Sequence, residues 1–417
     1  MRILGIDIGT TTISASVWED GCEASSLTVS NDSFLAADVP GAAIQDPARI
    51  LETALDVVAQ FPDVDAIAPT GQMHGIVYVD HENQAVSPLY TWQDQRSADT
   101  VEEMSRLCGY PLSAGYGLAT HVYLMRTGGI PANTVRLMTI MDYLALRLCG
   151  QCEMHASTAA SLGLFDIERG LFDAEALLRL GIDPAFLPPV TKTSRPIGKT
   201  PAGQYVFTAI GDNQASYMGA MEEHGVLLNL GTGGQISVYT PDYRQCPPCE
   251  TRPLDGDACL MVGSLLCGGR AYAILENFFR QCCQLSGTAD KSLYPAMNRL
   301  AEEELSDLPH FSPLFAGSRE NPAAHAFVEG LTEQNFTPAH LIQGLLQGIA
   351  HEMYSYYSPL GLGNPGYMAG SGNGIRKNPA LQKILSECFG APLVLSRVQE
   401  EAAFGAARLA SRKMKGV

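Results

Sequence analysis

The segment RILGIDIGTTTISASVW, residues 2–18, carries the pattern that decides the fold. Apolar residues dominate on both sides of Gly9, which is typical of two strands joined by a tight turn. Asp7 interrupts the first apolar run just before the glycine. Three threonines follow the glycine, namely Thr10, Thr11 and Thr12. Because a glycine turn exposes backbone N–H groups and threonine adds hydroxyl donors, the segment predicts an anion-binding hairpin beside a carboxylate.

The same pattern recurs about half the chain later, in VLLNLGTGGQISVY, residues 226–239. Its Gly-Thr pair at 231–232 matches the pair at 9–10. Asn229 stands where the first copy has Asp7, so only the first turn offers a carboxylate for a Mg²⁺ ion that accompanies phosphate. Either turn alone would be an ordinary hairpin. Their duplication predicts two similar halves whose turns face each other across a cleft and hold a polyphosphate.

Length and composition limit what the chain can be. With 417 residues, 46% of them hydrophobic, it can bury more than one core, and we expect domains at 1–220 and 221–417. The formal net charge of −17, without a lysine- or arginine-rich run, argues against nucleic acid or an anionic membrane as the main partner. No apolar run is long enough to span a bilayer. The short apolar run at the N-terminus is interrupted by Asp7 and the threonines, so it does not have the pattern of a signal peptide. The expected location is the cytoplasm.

Eleven cysteines are scattered through the chain, a usage typical of reduced thiols rather than of a disulfide framework. They include two Cys-x-x-Cys pairs, Cys149 with Cys152 and Cys246 with Cys249. Together these supply four thiolates, the number that many structural zinc sites use. Because the pairs lie much farther apart than in compact zinc modules, reduced thiols are the favoured interpretation.

A second carboxylate follows the predicted strand YVFTAI, residues 205–210. Asp212 comes two residues after it, in GDNQAS, residues 211–216, where small residues and Met218 predict a helix. An aspartate at this point is either a helix N-cap or a catalytic group at the carboxyl edge of an α/β sheet. Since a phosphate-binding hairpin is predicted on either side in sequence, we favour the catalytic interpretation.

Two polar segments lie in predicted turns and loops. TGQMHG, residues 70–75, separates the apolar runs 66–69 and 76–79, and WQDQR, residues 92–96, follows soon after. Their side chains combine an aromatic face with hydrogen-bonding ends, which suits a polyhydroxylated ligand; they are Gln72, His74, Trp92, Asp94 and Arg96. The alternatives are an ordinary turn histidine and a surface ion pair of little energetic value.

A glycine loop, MAGSGNG at residues 368–374, precedes a predicted amphipathic helix. Asn378 and Pro379 begin that helix, and its apolar face is formed by Leu381, Ile384, Leu385 and Cys388. A glycine loop that opens toward a helix lets a nucleoside approach the backbone closely, but a single Gly-x-Gly is a weak signal.

Taken in this order and spacing, the motifs resemble those of the FGGY carbohydrate kinases, members of the actin, hexokinase and Hsp70 superfamily. The resemblance covers nearly the whole chain, because further segments also match: STAASLGLFD (157–166), GSRENP (317–322), FVEGL (327–331) and AAFGAARLA (402–410). Within the family, the sugar-loop motifs are most similar to the sedoheptulokinase branch, with xylulokinases next.

The resemblance implies an α/β fold of two ribonuclease-H-like domains, as in actin-like ATPases, with a cleft between them. It implies that Asp212 is the base for the sugar hydroxyl and that Asp7, together with Asp212, holds Mg²⁺. The residues implied at the sugar are Gln72, Met73, His74, Trp92, Asp94, Arg96 and Asn213. Those implied at ATP are Gly9, Thr10, Thr11, Thr12, Gly231, Thr232, Gly233, Gly370, Ser371, Gly372 and Asn373.

The expected activity is ATP-dependent phosphorylation of the terminal hydroxyl of a ketose. Sedoheptulose is the first choice of substrate, and D-xylulose or another pentulose is the alternative. A nucleotide-switched sugar sensor or a chaperone-like ATPase would use the same fold. A sensor would lack the base and a chaperone would lack the sugar loop, so Asp212 and residues 70–75 favour an enzyme. We expect a monomer or a homodimer.

Overall fold

The structure is a computed structural model, and it describes residues 1–287, 291–319 and 321–414. Glu320, within the family-like segment 317–322, lies outside the described residues. The described chain forms two α/β halves, each built around one large mixed sheet.

The first half contains sixteen strands, most of them short. They are β1 (Arg2–Ile8), β2 (Thr12–Glu19), β3 (Cys22–Ser30), β4 (Phe34–Leu35), β5 (Ile44–Gln45), β6 (Ala66–Gly71), β7 (Val77–Val79), β8 (Leu89–Tyr90), β9 (Arg136–Met138), β10 (Met154–His155), β11 (Phe165–Asp166), β12 (Leu171–Phe172), β13 (Val190–Thr191), β14 (Pro196–Lys199), β15 (Tyr205–Phe207) and β16 (Ile210–Gly211). The helices are α1 (Pro47–Ala59), α2 (Val101–Cys108), α3 (Gly117–Thr127), α4 (Ile140–Cys149), α5 (Ala156–Ser161), α6 (Ala174–Arg179) and α7 (Asp212–Ala220), with a 3₁₀ turn at Pro184–Phe186.

The second half has fewer strands and longer helices. Its strands are β17 (Val226–Leu230), β18 (Gly234–Thr240), β19 (Glu250–Asp255), β20 (Ala258–Leu265), β21 (His310–Ser312), β22 (Phe327–Glu329), β23 (Met368–Ser371) and β24 (Leu393–Leu395). Its helices are α8 (Gly269–Leu285), α9 (Tyr294–Ala301), α10 (Pro338–Tyr357), α11 (Asn373–Arg376), α12 (Pro379–Phe389) and α13 (Glu401–Met414), with a 3₁₀ turn at Ser358–Leu360.

The two large sheets have the same core topology. The strand order is β14-β15-β6-β1-β2-β3 in the first, where β16 also pairs with β6, and β19-β20-β18-β17-β23-β24 in the second. In each sheet a hairpin of antiparallel strands, β1 with β2 and β17 with β18, continues into a parallel strand, β6 or β23. The two Gly-Thr turns therefore occupy equivalent places in the two halves.

The strand expected at 205–210 is interrupted in the structure. β15 and β16 pair with successive parts of β6, and Thr208 and Ala209 separate them. The Thr208 N–H donates to the carbonyl of Arg195, 3.0 Å away, next to the pairing of β15 with β14. The break brings Gly211 beside Gly71 and places the next residue, Asp212, at the start of α7.

Alternation along β1 explains why Asp7 faces away from the nearby core. Leu4, Ile6 and Ile8 pack in one cluster with α1 and α4, so Gly5 and Asp7 point to the opposite face of the sheet. A Cβ atom on Gly5 would lie 1.7 Å from the carbonyl oxygen of Ala403, and only glycine lets α13 approach so closely. The last helix of the chain thus packs on the first sheet. The division at residues 220 and 221 stays a prediction.

Within the part of the chain that the structure describes, no helix is both long enough and apolar enough to cross a membrane. All eleven cysteines belong to that part, and none of them is joined in a disulfide there. The same residues contain no group of three or more His, Cys, Asp or Glu side chains arranged to hold a metal ion by themselves.

Candidate active site

A central cavity of about 380 Å³ lies between the two halves. Asp7, near the end of β1, and Asp212, at the start of α7, both line it. Four of the residues implied at the sugar line it as well: Met73, His74, Trp92 and Asn213. The second half contributes further side chains, among them Asn229, Gln235 and Arg252. One space therefore brings together the predicted base, the predicted metal ligand and part of the predicted sugar site.

Asp212 is the first residue of α7, and its carboxylate is held by the helix itself. Its Oδ1 accepts a hydrogen bond of 2.7 Å from the Asn213 N–H. Burial raises the pKa of Asp212 to about 6, although the Asn213 N–H and the Arg252 guanidinium both favour the charged form. A general base is most effective when its pKa lies near the working pH, because it is then both deprotonated and basic. The carboxylate is therefore suited to accept a proton near neutral pH.

Asp7 is half-buried, and one of its carboxylate oxygens is buried without a partner. Its Oδ1 has no hydrogen bond in the structure. Burial, followed by the nearby carboxylates of Asp212 and Glu400, raises the pKa of Asp7 to about 8. A buried carboxylate next to two others is unfavourable unless a cation joins them. Mg²⁺ prefers oxygen ligands and is usually held by one or two carboxylates plus phosphate oxygens and water, so the site fits this ion.

His74 presents a hydrogen-bond acceptor to the central cavity. Its Nδ1 lies 2.7 Å from the carbonyl oxygen of Ser161, which can only accept, so Nδ1 carries the hydrogen and Nε2 keeps a free lone pair. Burial, and then the charge of Arg252, lowers the pKa of His74 to about 4, so the ring is neutral at pH 7. The ring stacks on Tyr116 at 4.8 Å, and its backbone has a φ of +72°. Such a left-handed backbone is uncommon outside glycine and fixes the direction of the side chain.

Gln72 and Thr10 are bound to each other rather than turned toward a ligand. The Trp92 Nε1–H donates to Thr10 Oγ1 at 3.0 Å, and that hydroxyl donates to Gln72 Oε1 at 3.3 Å. The Gln72 amide donates in turn to Gln45 Oε1 at 2.9 Å. These hydrogen bonds connect the loop at residues 70–75 to the Gly-Thr turn at residues 9–10. Trp92 remains 45% exposed, so its ring face is available to the cavity.

Asp94 and Arg96 form a buried ion pair, not the surface pair considered as an alternative. Asp94 Oδ1 accepts from the Arg96 Nε–H at 2.8 Å, and Oδ2 accepts from the Ala43 N–H at 3.1 Å. The Arg96 guanidinium also lies over the ring of Tyr90, 4.9 Å from its centre. Neither residue lines the central cavity. They support the loop that carries Trp92.

Each Gly-Thr turn, at residues 9–10 and 231–232, is predicted to bind phosphate and is held by hydrogen bonds within its own half. In the first, Asn31 binds the turn through its side-chain amide, which donates to the Gly9 carbonyl, and through its N–H, which donates to the Thr11 carbonyl. Thr11 and Thr12 are exposed. In the second, the N–H groups that begin α8 donate to the carbonyls of Gly231 and Thr232. At Gly233 a Cβ would lie 2.9 Å from the Leu265 carbonyl oxygen, which explains that glycine by packing.

A second, largely apolar cavity of about 980 Å³ lies wholly in the second half. It begins at Gly231 and Thr232 and runs between α8, α9 and α12, where the rings of Tyr272 and Tyr294 stack at 5.9 Å. Gly372 and Asn373 line this cavity. Its size and its position at the second phosphate turn fit a nucleoside.

Two of the residues implied at the nucleotide have other partners. Ser371 is buried, and its hydroxyl donates to Glu401 Oε2 at 2.6 Å. Gly370 lies in β23, where a Cβ would meet Ile375 and Leu393. Gly372 instead has a φ of +78°, and a Cβ there would lie 2.5 Å from the Leu230 carbonyl oxygen. These residues shape the loop next to the second phosphate turn.

The glycine at position 231 is not explained by packing or by backbone conformation, so its role can be tested by substitution. A Cβ would have no neighbour within 4 Å, and its backbone is not left-handed. Close approach of a phosphate remains as the reason for it. We expect Gly231→Ala to leave the melting temperature unchanged and to raise the KM for ATP about tenfold, equivalent to about 1.4 kcal/mol. Gly366→Ala, equally free of neighbours but outside the cavities, is the control. An unchanged KM for ATP would contradict this role.

Sequence reasoning missed Gln235 and Arg252, which line the central cavity, and Glu250, which pairs with Arg252. Asn213 donates to Gln235 Oε1 at 2.7 Å and accepts from Arg252 Nη1 at 3.2 Å, so two second-half residues hold it. Glu250 pairs with Arg252 at 2.7 Å. In the sequence, the pair could have been recognised only from the opposite charges of Glu250 and Arg252, which lie two residues apart and therefore on the same face of a strand.

The model of the FGGY family of carbohydrate kinases, N-terminal domain, matches residues 2–219, and the corresponding C-terminal domain model matches residues 226–414. The chain is 26% identical to the sedoheptulokinase of Mus musculus, covering 97% of this chain and 96% of that protein. It is 25% identical to a xylulose kinase of Lactococcus lactis, covering 84% of this chain and 75% of that protein.

A solved structure confirms the predicted fold. The xylulose kinase from Rhodospirillum rubrum superimposes with a TM-score of 0.86 at 21% identity, covering 100% of this chain and 90% of that one. The predicted architecture of two actin-like α/β domains with a cleft between them is therefore correct. Since the two family models together match nearly its whole length, the chain belongs to the FGGY family of carbohydrate kinases and is a phosphotransferase.

Proposed function

We propose that this kinase transfers the terminal phosphoryl group of ATP, the phosphate donor of FGGY kinases, to the terminal hydroxyl of a ketose. The preferred substrate in this proposal is sedoheptulose. The main support for this proposal is that Asp212, Asp7 and neutral His74 line the same cavity between the halves. A base, a site for the phosphate-bound cation and a hydroxyl acceptor are the groups that phosphoryl transfer to a polyol needs.

The residues of this chain have separate tasks in that reaction. Asp212 accepts the proton of the attacking hydroxyl, while the Asn213 N–H holds its Oδ1 in place. His74 Nε2 accepts a hydrogen bond from another hydroxyl and so orients the sugar. The phosphate turns supply N–H and hydroxyl donors from opposite sides of the cleft. Asp7, with Asp212, would hold Mg²⁺, which neutralises phosphate charge when bound.

The lining of the neighbouring space supports a long, neutral sugar. An outer cavity of about 680 Å³ adjoins the central cavity, and both are lined by Met73, His74 and Arg252. Asp166, Glu168 and Glu250 also line the outer cavity, and Arg252 is the basic residue among its lining. An acidic lining disfavours a sugar acid, because like charges repel. A ketose of five to seven carbons has both the length and the neutrality that this lining requires.

The choice of sedoheptulose rests on likeness to the mouse sedoheptulokinase over almost the full length of both chains. D-xylulose is the alternative substrate, on likeness to the bacterial xylulose kinase. Both acceptors present a primary hydroxyl to the same base, so the chemistry is shared and only the fit of the remaining hydroxyls differs.

The test is kcat/KM for sedoheptulose, xylulose, ribulose, gluconate and glycerol under one set of conditions. We expect the ketoses to exceed glycerol by about 10- to 100-fold, because each buried polar group left unpaired costs about 1–3 kcal/mol. Gluconate should be poorer than the ketoses because of the acidic lining. Glycerol or gluconate equalling the ketoses would contradict the proposed sugar site, whereas xylulose exceeding sedoheptulose would contradict only the preferred substrate.

A further inference from the structure

Arg252 stands at the border between the central and outer cavities and lines both. It lies on β19, so the second half contributes it to a sugar site that the resemblance placed in the first half. The residue is only 9% exposed. A buried guanidinium keeps its position only when it is paired and hydrogen-bonded, and Arg252 is both.

The bonds of Arg252 leave part of its donor capacity unused. Nε and Nη2 donate to Glu250 Oε2 at 3.2 and 2.7 Å, and Nη1 donates to Asn213 Oδ1 at 3.2 Å. A guanidinium has five N–H groups, and these bonds use three of them. Two N–H groups remain for a ligand at the border of the cavities.

His74 supplies the complementary group at the same border. Its Nε2 lone pair is free, since Nδ1–H donates to Ser161, and His74 lines the same two cavities as Arg252. A hydroxyl can donate to His74 and accept from Arg252 at the same time. A carboxylate could accept from Arg252, and Arg319, whose Nη1 lies 3.9 Å from Glu250 Oε2, offsets the charge of Glu250. A carboxylate has no hydrogen to donate to His74, however, and would oppose the lone pair of its Nε2. The pair therefore selects a hydroxyl.

Glu250 positions both Arg252 and Tyr116, which contacts His74. Its Oε2 binds Arg252, and its Oε1 accepts from the Tyr116 hydroxyl at 3.2 Å. Tyr116 stacks on His74 at 4.8 Å. A continuous set of contacts thus runs from His74 through Tyr116, Glu250 and Arg252 to Asn213, the neighbour of the base. It crosses from the first half to the second and back.

We propose that Arg252 is a specificity-determining residue of the sugar site, which binds one ketose hydroxyl jointly with His74 where the sugar chain passes from the central cavity into the outer cavity. Glu250 is the positioning residue that orients Arg252 and Tyr116. This inference rests on the proposed function of a ketose kinase. It adds the second half to the recognition of the sugar.

The first experiment compares Arg252→Gln and Arg252→Lys with the wild type. We expect Arg252→Gln to raise the KM and the calorimetric Kd for sedoheptulose about 10- to 100-fold, as loss of a hydrogen bond to a charged group does, with the KM for ATP unchanged. Arg252→Lys, which keeps the charge and N–H donors on a single nitrogen, should recover part of the loss. Arg195→Gln is the control, because Arg195 forms an ion pair with Glu153 outside both cavities. A KM for ATP that rises as much as that for the sugar would overturn the inference.

The second experiment identifies the hydroxyl with a series of monodeoxy sedoheptuloses. The wild type should lose about tenfold or more in affinity for the analogue that lacks the bound hydroxyl, whereas Arg252→Gln, which no longer makes that bond, should lose much less on the same change. Equal losses in both proteins for every analogue would overturn the inference. If the wild type phosphorylates no ketose but accepts another polyol, the proposed function fails, and the same two variants assayed on that polyol still decide the role of Arg252.

Discussion

Replacement of Asp212 by asparagine is expected to lower kcat about 10²- to 10⁴-fold while sugar and ATP binding stay near the wild-type values. Asparagine has the same size and can still accept the Asn213 N–H, so the geometry of α7 is kept. It cannot take the proton of the attacking hydroxyl. Steady-state kinetics and calorimetric binding to both substrates measure the two effects separately. Near-normal turnover would show that Asp212 is not the base.

The pH dependence of the wild type supplies an independent check on the same group. Because burial raises the pKa of Asp212 to about 6, the carboxylate is charged above that pH and becomes protonated below it. The kcat/KM for the sugar should therefore fall as the pH decreases through about 6. The residual kcat/KM of Asp212→Asn should not show this decrease as the pH falls through about 6.

Replacement of Asp7 by asparagine is expected to lower activity about 10²- to 10³-fold at low Mg²⁺, with partial recovery at high Mg²⁺. An amide is a weaker and uncharged ligand, so the metal must be driven onto the site by concentration. Activity measured against Mg²⁺ concentration in both proteins provides the test. Superimposable curves would mean that Asp7 does not hold the metal.

The same variant should be more stable than the wild type in the absence of metal and nucleotide. The pKa of Asp7 is raised from 3.8 to about 8, so the folded state holds this proton more tightly than the unfolded state does. Ionisation of Asp7 therefore destabilises the ligand-free protein increasingly as the pH rises from about 4 to about 8. Asp7→Asn removes that effect. Its gain in melting temperature should be larger at pH 8 than at pH 5.

The features of the fold that were predicted correctly come from local chemistry. A Gly-Thr turn between two apolar runs specifies a hairpin, and its repetition at 231–232 specifies a second half. The side of the sheet to which Asp7 points, opposite the residues that pack with α1 and α4, was found only in the structure. The break at Thr208 and Ala209 was not predictable, because it depends on contacts with residues distant in sequence, such as the bond from the Thr208 N–H to Arg195, just before β14.

The site was less predictable than the fold, since a polar residue in a motif can serve a ligand or the scaffold. Gln72, Asp94 and Ser371 are all polar members of family-like motifs, yet each is hydrogen-bonded to protein in the structure. Their partners lie far away in sequence. Arg252 shows the reverse case, because it belongs to no motif and reaches the central cavity only when β19 docks beside α7.

The central claim is that Asp212 directs the terminal phosphoryl group of ATP to the terminal hydroxyl of a ketose. The most direct measurement is nuclear magnetic resonance of the product after incubation with sedoheptulose, ATP and Mg²⁺. The account predicts one phosphate ester at carbon 7, formed in equal amount with ADP and at least about a hundredfold more slowly with Asp212→Asn. Release of ADP without any sugar phosphate, or an ester at another carbon, would contradict it.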